Sequence, residues 1–132
     1  MATGMSSFTA DAHLNAVGNN TSFVVAQPWM KLHTGDPGAA GTANAATETT
    51  RKSVSFGAPQ AGAAGFRKIL NDAAITWTSI AGSEDATHFS LWDASTAGNY
   101  LGSGTITANP YTAGDTYDIA MGAAEINVPI AT

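Results

Sequence analysis

The sequence predicts an all-β domain, a sandwich or barrel of about eight short antiparallel strands, preceded by one short N-terminal helix. Three observations carry this. From Ser22 onward apolar and polar residues alternate with a period of two, the signature of half-buried strands. Gly, Asn and Asp interrupt that alternation at short intervals, as turns between strands require. The charged fraction is only 11%, and Gly, Thr and Ala fill the space between a sparse set of large apolar residues. Several short strands separated by turn residues suit a sandwich or barrel better than any layered α/β arrangement.

The first element is the helix. Ser7 or Thr9 is placed to cap it, Asp11 to lie in its first turn, and Ala10, Leu14 and Val17 recur at helical spacing. Gly18 and the asparagines after it end it. Residues 1–20 therefore form a helical segment that is too short to stand alone and must dock on the rest of a single domain spanning 1–132.

The strands follow. "SFVVA" (Ser22 to Ala26) and "WMKLHT" (Trp29 to Thr34) are separated by Gln27-Pro28. In the second, Met30 and Leu32 share one face and Lys31 and His33 the other. "RKSVSFG" turns Val54 and Phe56 inward, and "AAITWTSI" sets Ile75 and Trp77 against Thr76 and Thr78. "THFSLWDA" sets Phe89 and Leu91 against His88, Ser90 and Trp92. "YLGSGTITA", "DTYDIAM" and "EINVPIA" complete the set. Gly102 and Gly104 inside a strand point to a bulge or a close approach. Pro129 has no N–H to donate, so the last strand lies at an edge or pairs on one side.

Two stretches of small residues do not fit strands: Gly35 to Thr50 and Gly57 to Gly65. Loops beyond ~12–15 residues are uncommon in compact domains and are usually functional or disordered. With so little apolar content, residues 35–50 read as an extended loop or arm that a neighbouring chain orders. Its root is "TGDPG". Asp36 before Pro37 is biased to extended backbone, Pro37 presets φ for the second turn position, and Gly38 takes the positive φ of the third. Gly35, Asp36, Pro37 and Gly38 are thus a turn or hinge, and His33 is the outward neighbour of it.

Charge and composition exclude several functions. Ten acidic residues face five basic ones, Lys31, Arg51, Lys52, Arg67 and Lys68, too few for a continuous phosphate-binding track. Direct contact with nucleic acid is not expected. There is no cysteine, hence no disulfide framework or thiolate chemistry. The start of the chain lacks the basic and apolar regions of a secretory signal, and no run reaches the ~20 apolar residues of a membrane span. Neither export by that route nor a membrane partner is expected.

The chemistry-bearing residues give no catalytic or metal site. His13, His33 and His88 are scattered, without the spacing of a zinc site, and read as surface or interface residues. Glu84 and Asp85 could flank a glycosidic bond, but neighbours in a loop point apart. Asp93 suits an Asx turn. No nucleophile elbow or phosphate loop occurs, and no cofactor is implied. The aromatics Trp29, Trp77, Trp92, Tyr100, Tyr111 and Tyr117 could stack on a sugar or anchor a core or interface. Trp92 alternates out of phase with Phe89 and Leu91, which makes it a candidate contact with another subunit or a ligand. Arg51, Lys52 and His33 join it as candidate contacts.

"KLHTGDPGAAGTANAATETTRKSVSFGAP", "ITWTSIAGSEDATHFSLWDASTAGNYLGSGTIT" and "AGDTYDIAMGAAEINVPIA" together resemble a family of small tailed-bacteriophage virion proteins, often labelled tail fibre or minor tail proteins. The resemblance runs from about Phe8 to Ala131 and brings no catalytic residue with it. It implies a non-enzymatic structural protein of the virion, made in the host cytoplasm. A fibre needs length from repeats or a coiled coil, and neither is visible. A lightly cored domain with exposed loops suits a subunit stabilised by many copies. The sequence therefore favours a capsid decoration or cement subunit contacting itself and the major capsid protein. A tail or head-tail accessory protein and a carbohydrate-binding module for host attachment are the alternatives.

Overall fold

A computed structural model describes residues 3–132 as three antiparallel sheets and one helix, in line with the all-β expectation. The helix is α1 (Ser7–Gly18). The strands are β1 (Trp29–His33), β2 (Lys52–Ser53), β3 (Gln60–Ala61), β4 (Phe66–Leu70), β5 (Ile75–Trp77), β6 (Glu84–Trp92), β7 (Tyr100–Tyr111), β8 (Tyr117–Ile119) and β9 (Glu125–Pro129). The sheets run in the orders β2-β1-β6-β7, β3-β4-β9 and β5-β8. The last strand pairs only with β4 and lies at an edge, as Pro129 requires.

The alternation places most of the core correctly. Met30, Leu32, Phe89 and Leu91 from the four-stranded sheet cluster with Ile75, Trp77, Tyr117 and Ile119 from the two-stranded one. Each is less than 5% exposed. Gly102 and Gly104 do what glycines in a strand suggest. The β6–β7 register slips between Leu91 and Trp92, whose partners are Gly102 and Tyr100, so Leu101 bulges. At Gly104 a Cβ would stand 2.5 Å from Phe89 Cζ and 2.6 Å from Glu125 O. Its absence lets the Phe89 ring and the β9 backbone close on β7.

Several local expectations are corrected. The cap of α1 is Ser6, not Ser7 or Thr9: extended at ψ 162°, it accepts the Thr9 N–H through Oγ at 3.2 Å. Asp11 falls beyond the first turn. The helix docks by polar anchors: Ser6 Oγ donates to Tyr100 O at 2.6 Å and Thr9 Oγ1 to Leu101 O at 2.8 Å. Just ahead of it Gly4 and Ser6 pair with the β7 edge, through Ser103 N–H to Gly4 O and Ser6 N–H to Leu101 O. Leu14 and Val17, which recur at helical spacing, are 69% and 87% exposed.

Ser22 to Ala26 is not a strand. Phe23 and Val25 pack on the core and Val24 faces out, so the alternation holds, but the segment joins none of the sheets. Of "RKSVSFG", only Lys52 and Ser53 join a ladder; Val54 is buried and Phe56 makes one isolated bridge to Asn71. Residues 57–65 contain β3, which forms a hairpin with β4 through Gly62 N–H to Phe66 O at 3.1 Å. That stretch is thus tied down within the chain.

Candidate functional site

The hinge at Gly35 to Gly38 turns the chain back instead of releasing it. Asp36 Oδ1 accepts the Gly38 N–H at 2.8 Å, and Gly38 takes φ +74°. Pro37 is fully buried, and its carbonyl accepts the Ala43 N–H at 2.9 Å. The following residues then run antiparallel along the β1 edge. Thr34 N–H donates to Asn44 O, Ala45 bridges His33, and Ala46 N–H donates to Leu32 O. Lys52 and Ser53 complete the return opposite Met30 and Trp29. Residues 35–50 are therefore the interrupted second limb of a hairpin with β1. Hydrogen bonds within the chain hold them along β1.

Two carboxylates pin this limb. Glu48 is buried and accepts N–H bonds from Ala81 and Thr50, both at 3.1 Å. Burial opposes its ionisation, but those bonds outweigh it and hold the carboxyl below its usual range. Glu84, which with Asp85 opens β6, accepts from Thr47 Oγ1 at 2.6 Å and from the Thr47 N–H at 2.8 Å. Tyr111 OH donates to the same carboxylate at 3.2 Å. Glu84 is thus a clamp, with burial again outweighed by the hydrogen bonds that lower its pKa.

His33 is the largest correction. It is completely buried, not an outward contact. Nδ1 lies 2.8 Å from Ala43 O and Nε2 2.8 Å from Ser90 Oγ. A carbonyl only accepts, so the proton sits on Nδ1, and Nε2 accepts the Ser90 hydroxyl. Ser90 Oγ in turn accepts the Trp92 indole N–H at 2.9 Å. Residues 43, 33, 90 and 92 are one chain of hydrogen bonds between the returning limb and β6.

Burial lowers the His33 pKa below 6.5, the Ala43 bond opposes this in part, and Lys31 and His88 add to the lowering. The folded chain therefore binds fewer protons than the unfolded chain just below pH 6.5, and stability there falls as pH falls. We expect the urea midpoint of the wild type to drop as pH is lowered from about 7 through the ordinary histidine range. His33→Gln, which cannot titrate, will lose that slope. An unchanged slope in the variant would remove His33 as its source.

Trp92 and Arg51 make their contacts within the chain. Trp92 is only 9% exposed. The Arg51 guanidinium lies 4.1 Å from its ring centroid, and Tyr100 meets it edge-on at 5.4 Å. Arg51 Nη1 also donates to Ala94 O at 2.8 Å and Ala97 O at 2.7 Å, bracing the β6–β7 turn. Asp93 closes that turn by accepting the Asn99 N–H at 2.7 Å, a bond to the residue six positions on and not the Asx turn expected of it, which would reach only two. Lys52 is half-buried on the edge strand β2. Of the four candidate contacts, the structure joins His33, Trp92 and Arg51 in one brace and leaves Lys52 beside it.

Chemically, this corner holds rather than reacts. Ser90 and His33 stand at the distance of a nucleophile and its base. Both are 0% exposed, however, and the Ser90 oxygen is already occupied by the Trp92 N–H. Among the described residues no group of three or more His, Asp or Glu is placed to hold a metal ion. Trp77, Trp92, Tyr111 and Tyr117 are buried and Trp29 and Tyr100 half-buried, so the sequence's candidate sugar platform does not form.

An apolar groove of about 370 Å³ lies beside α1. Thr9 and His13 of the helix form one wall, and Phe56, Ile69, Ile126 and Val128 line it from the other side. Arg67 and Lys68 also line it, and no carboxylate does. Sequence reasoning missed it because its walls come from segments far apart in the chain. The Arg67-Lys68 pair next to Ile69 was the one local trace.

Comparison with known families supplies the last observation. Residues 4–127, from the first residue paired with β7 into β9, match the model of a family described as Podophage GP4 fiber I protein gp80. No curated protein matches the chain.

Proposed function

The chain belongs to this podophage fibre-protein family of phage virion structural proteins, and from that premise we propose that it is a non-enzymatic structural subunit of the tail fibre apparatus. The observation that carries the reading is the extent of the match, nearly the whole chain. It works by contacts: with its own copies and with other virion proteins, without a cofactor. It is part of the virion and is made in the host cytoplasm.

The sequence favoured capsid decoration because the chain has neither repeats nor a coiled coil. A fibre can also gain its length by adding copies of a small domain, or carry such a domain at its base. The family match therefore supports the fibre reading over the decoration reading. The non-enzymatic reading rests on the family match; the serine–histidine pair just described is buried and plays no part in it. The host-glycan alternative loses its support with the burial of the aromatics.

The test is fractionation. Virions are split into capsids and tails, and each fraction is quantified by gel against the major capsid protein. The chain is expected in the tail fraction, at a copy number set by tail symmetry. Recovery with capsids, at a copy number tracking the capsid lattice, would sink the proposal.

A further inference from the structure

We propose that the apolar groove beside α1 is the seat for the exposed face of α1 from a second copy of this chain. The proposal names the surface for the self-contact given above, but its test is done in solution and does not depend on where in the virion the subunit sits.

Two unexplained features meet in it. The first is the outer face of α1. Leu14 and Val17 are 69% and 87% exposed on a helix that docks through its polar anchors. Val24, just after the helix, is 80% exposed. Asp11 lies three residues before Leu14, on the same stripe, and is the single formally charged residue of the helix. The second is the groove. In a chain with ten acidic and five basic residues, its lining includes Arg67 and Lys68 and no acid. Lys68 is paired with Glu125 at 3.0 Å, whereas Arg67 is exposed and, among the described residues, bonds only to the Pro59 carbonyl at 3.2 Å.

An apolar stripe led by one carboxylate thus faces the complement it needs: an apolar trough edged by one available guanidinium. The sizes agree. One helical turn, ~10 Å wide and ~5.4 Å tall, has a volume of the same order as the groove, and Leu14 to Val17 is one turn. Because Thr9 and His13 form a wall of the groove, helix and groove adjoin on one surface of the molecule. A contact in which each copy gives its helix and receives its partner's is what two-fold pairing of such a surface requires.

Sedimentation of the purified chain over a range of concentrations tests this. The wild type is expected to self-associate. Val17→Glu, at a site too exposed to unfold the domain, is expected to weaken association about 10- to 100-fold. Arg67→Glu and Asp11→Arg will each weaken it, and the double variant Asp11→Arg/Arg67→Glu will restore it. A circular-dichroism melt of each variant confirms that the fold is intact. A wild type that stays monomeric, association indifferent to Val17→Glu, or a double variant no better than the singles would each overturn the proposal. So would a fluorescent fatty acid that binds the groove of the monomer and is released by Arg67→Glu, which would assign the site to an anionic amphiphile.

Discussion

Trp92→Ala will lower the unfolding free energy by about 3–5 kcal/mol, the usual cost of truncating a buried aromatic residue. The side chain carries three functions at once. Its ring fills the space between Arg51 and Tyr100. Its indole N–H satisfies Ser90 Oγ, which in turn holds His33 against the returning limb. Its loss therefore leaves a cavity, unstacks Arg51 and breaks the hydrogen-bond chain to residue 43. Trp92→Phe separates these effects: the ring remains, the N–H goes, and about 1–3 kcal/mol should be lost to the unsatisfied buried partner. Urea unfolding measures both. A loss under about 1 kcal/mol for Trp92→Ala, the range of ordinary surface substitutions, would restore the sequence's reading of an outward contact.

Gly41→Ala will cost about 2–5 kcal/mol, large for a single methyl group in a loop. Gly41 has φ +72°, where a residue with a Cβ is strained by ~1–2 kcal/mol. The added Cβ would also run into the Tyr100 ring, and overpacking adds ~1–3 kcal/mol. Tyr100→Ala should relieve the second part and leave the first. The double variant Gly41→Ala/Tyr100→Ala is thus expected to be more stable than the sum of the two single losses. Strict additivity in thermal melts would mean that residues 35–50 do not rest on Tyr100.

These two expectations also show what the sequence could and could not convey. Period-two alternation identified Met30, Leu32, Ile75, Trp77, Phe89 and Leu91 because each faces a sheet-to-sheet core. It failed on His33, Ser90 and Trp92, which lie on the other face of the same strands. That face reads as solvent-facing because its residues are polar or amphipathic. It is buried under a limb made of glycine, alanine and threonine, and such a limb leaves no apolar signal. What anchors it is backbone hydrogen bonding, two carboxylates and a stacked arginine. None of these has a period.

The same reason explains the hinge. Gly35, Asp36, Pro37 and Gly38 were legible as a turn from their conformational preferences. Where the chain goes after a turn depends on partners elsewhere in the chain, here Leu32, Ala81 and Glu84. The helix cap was off by one residue because Ser6, Ser7 and Thr9 all suit the position, and only docking against Tyr100 and Leu101 chooses among them. The groove was illegible for a different reason: it is a gap between elements, and a gap has no residues of its own.

The most direct test of the account as a whole is a reconstruction of the intact virion, with this fold fitted into the density. The account predicts copies in the tail fibres or where they attach, with adjacent copies touching through α1 and the groove beside Arg67. Copies spread over the capsid lattice, with no density for the fold in the fibres, would contradict it.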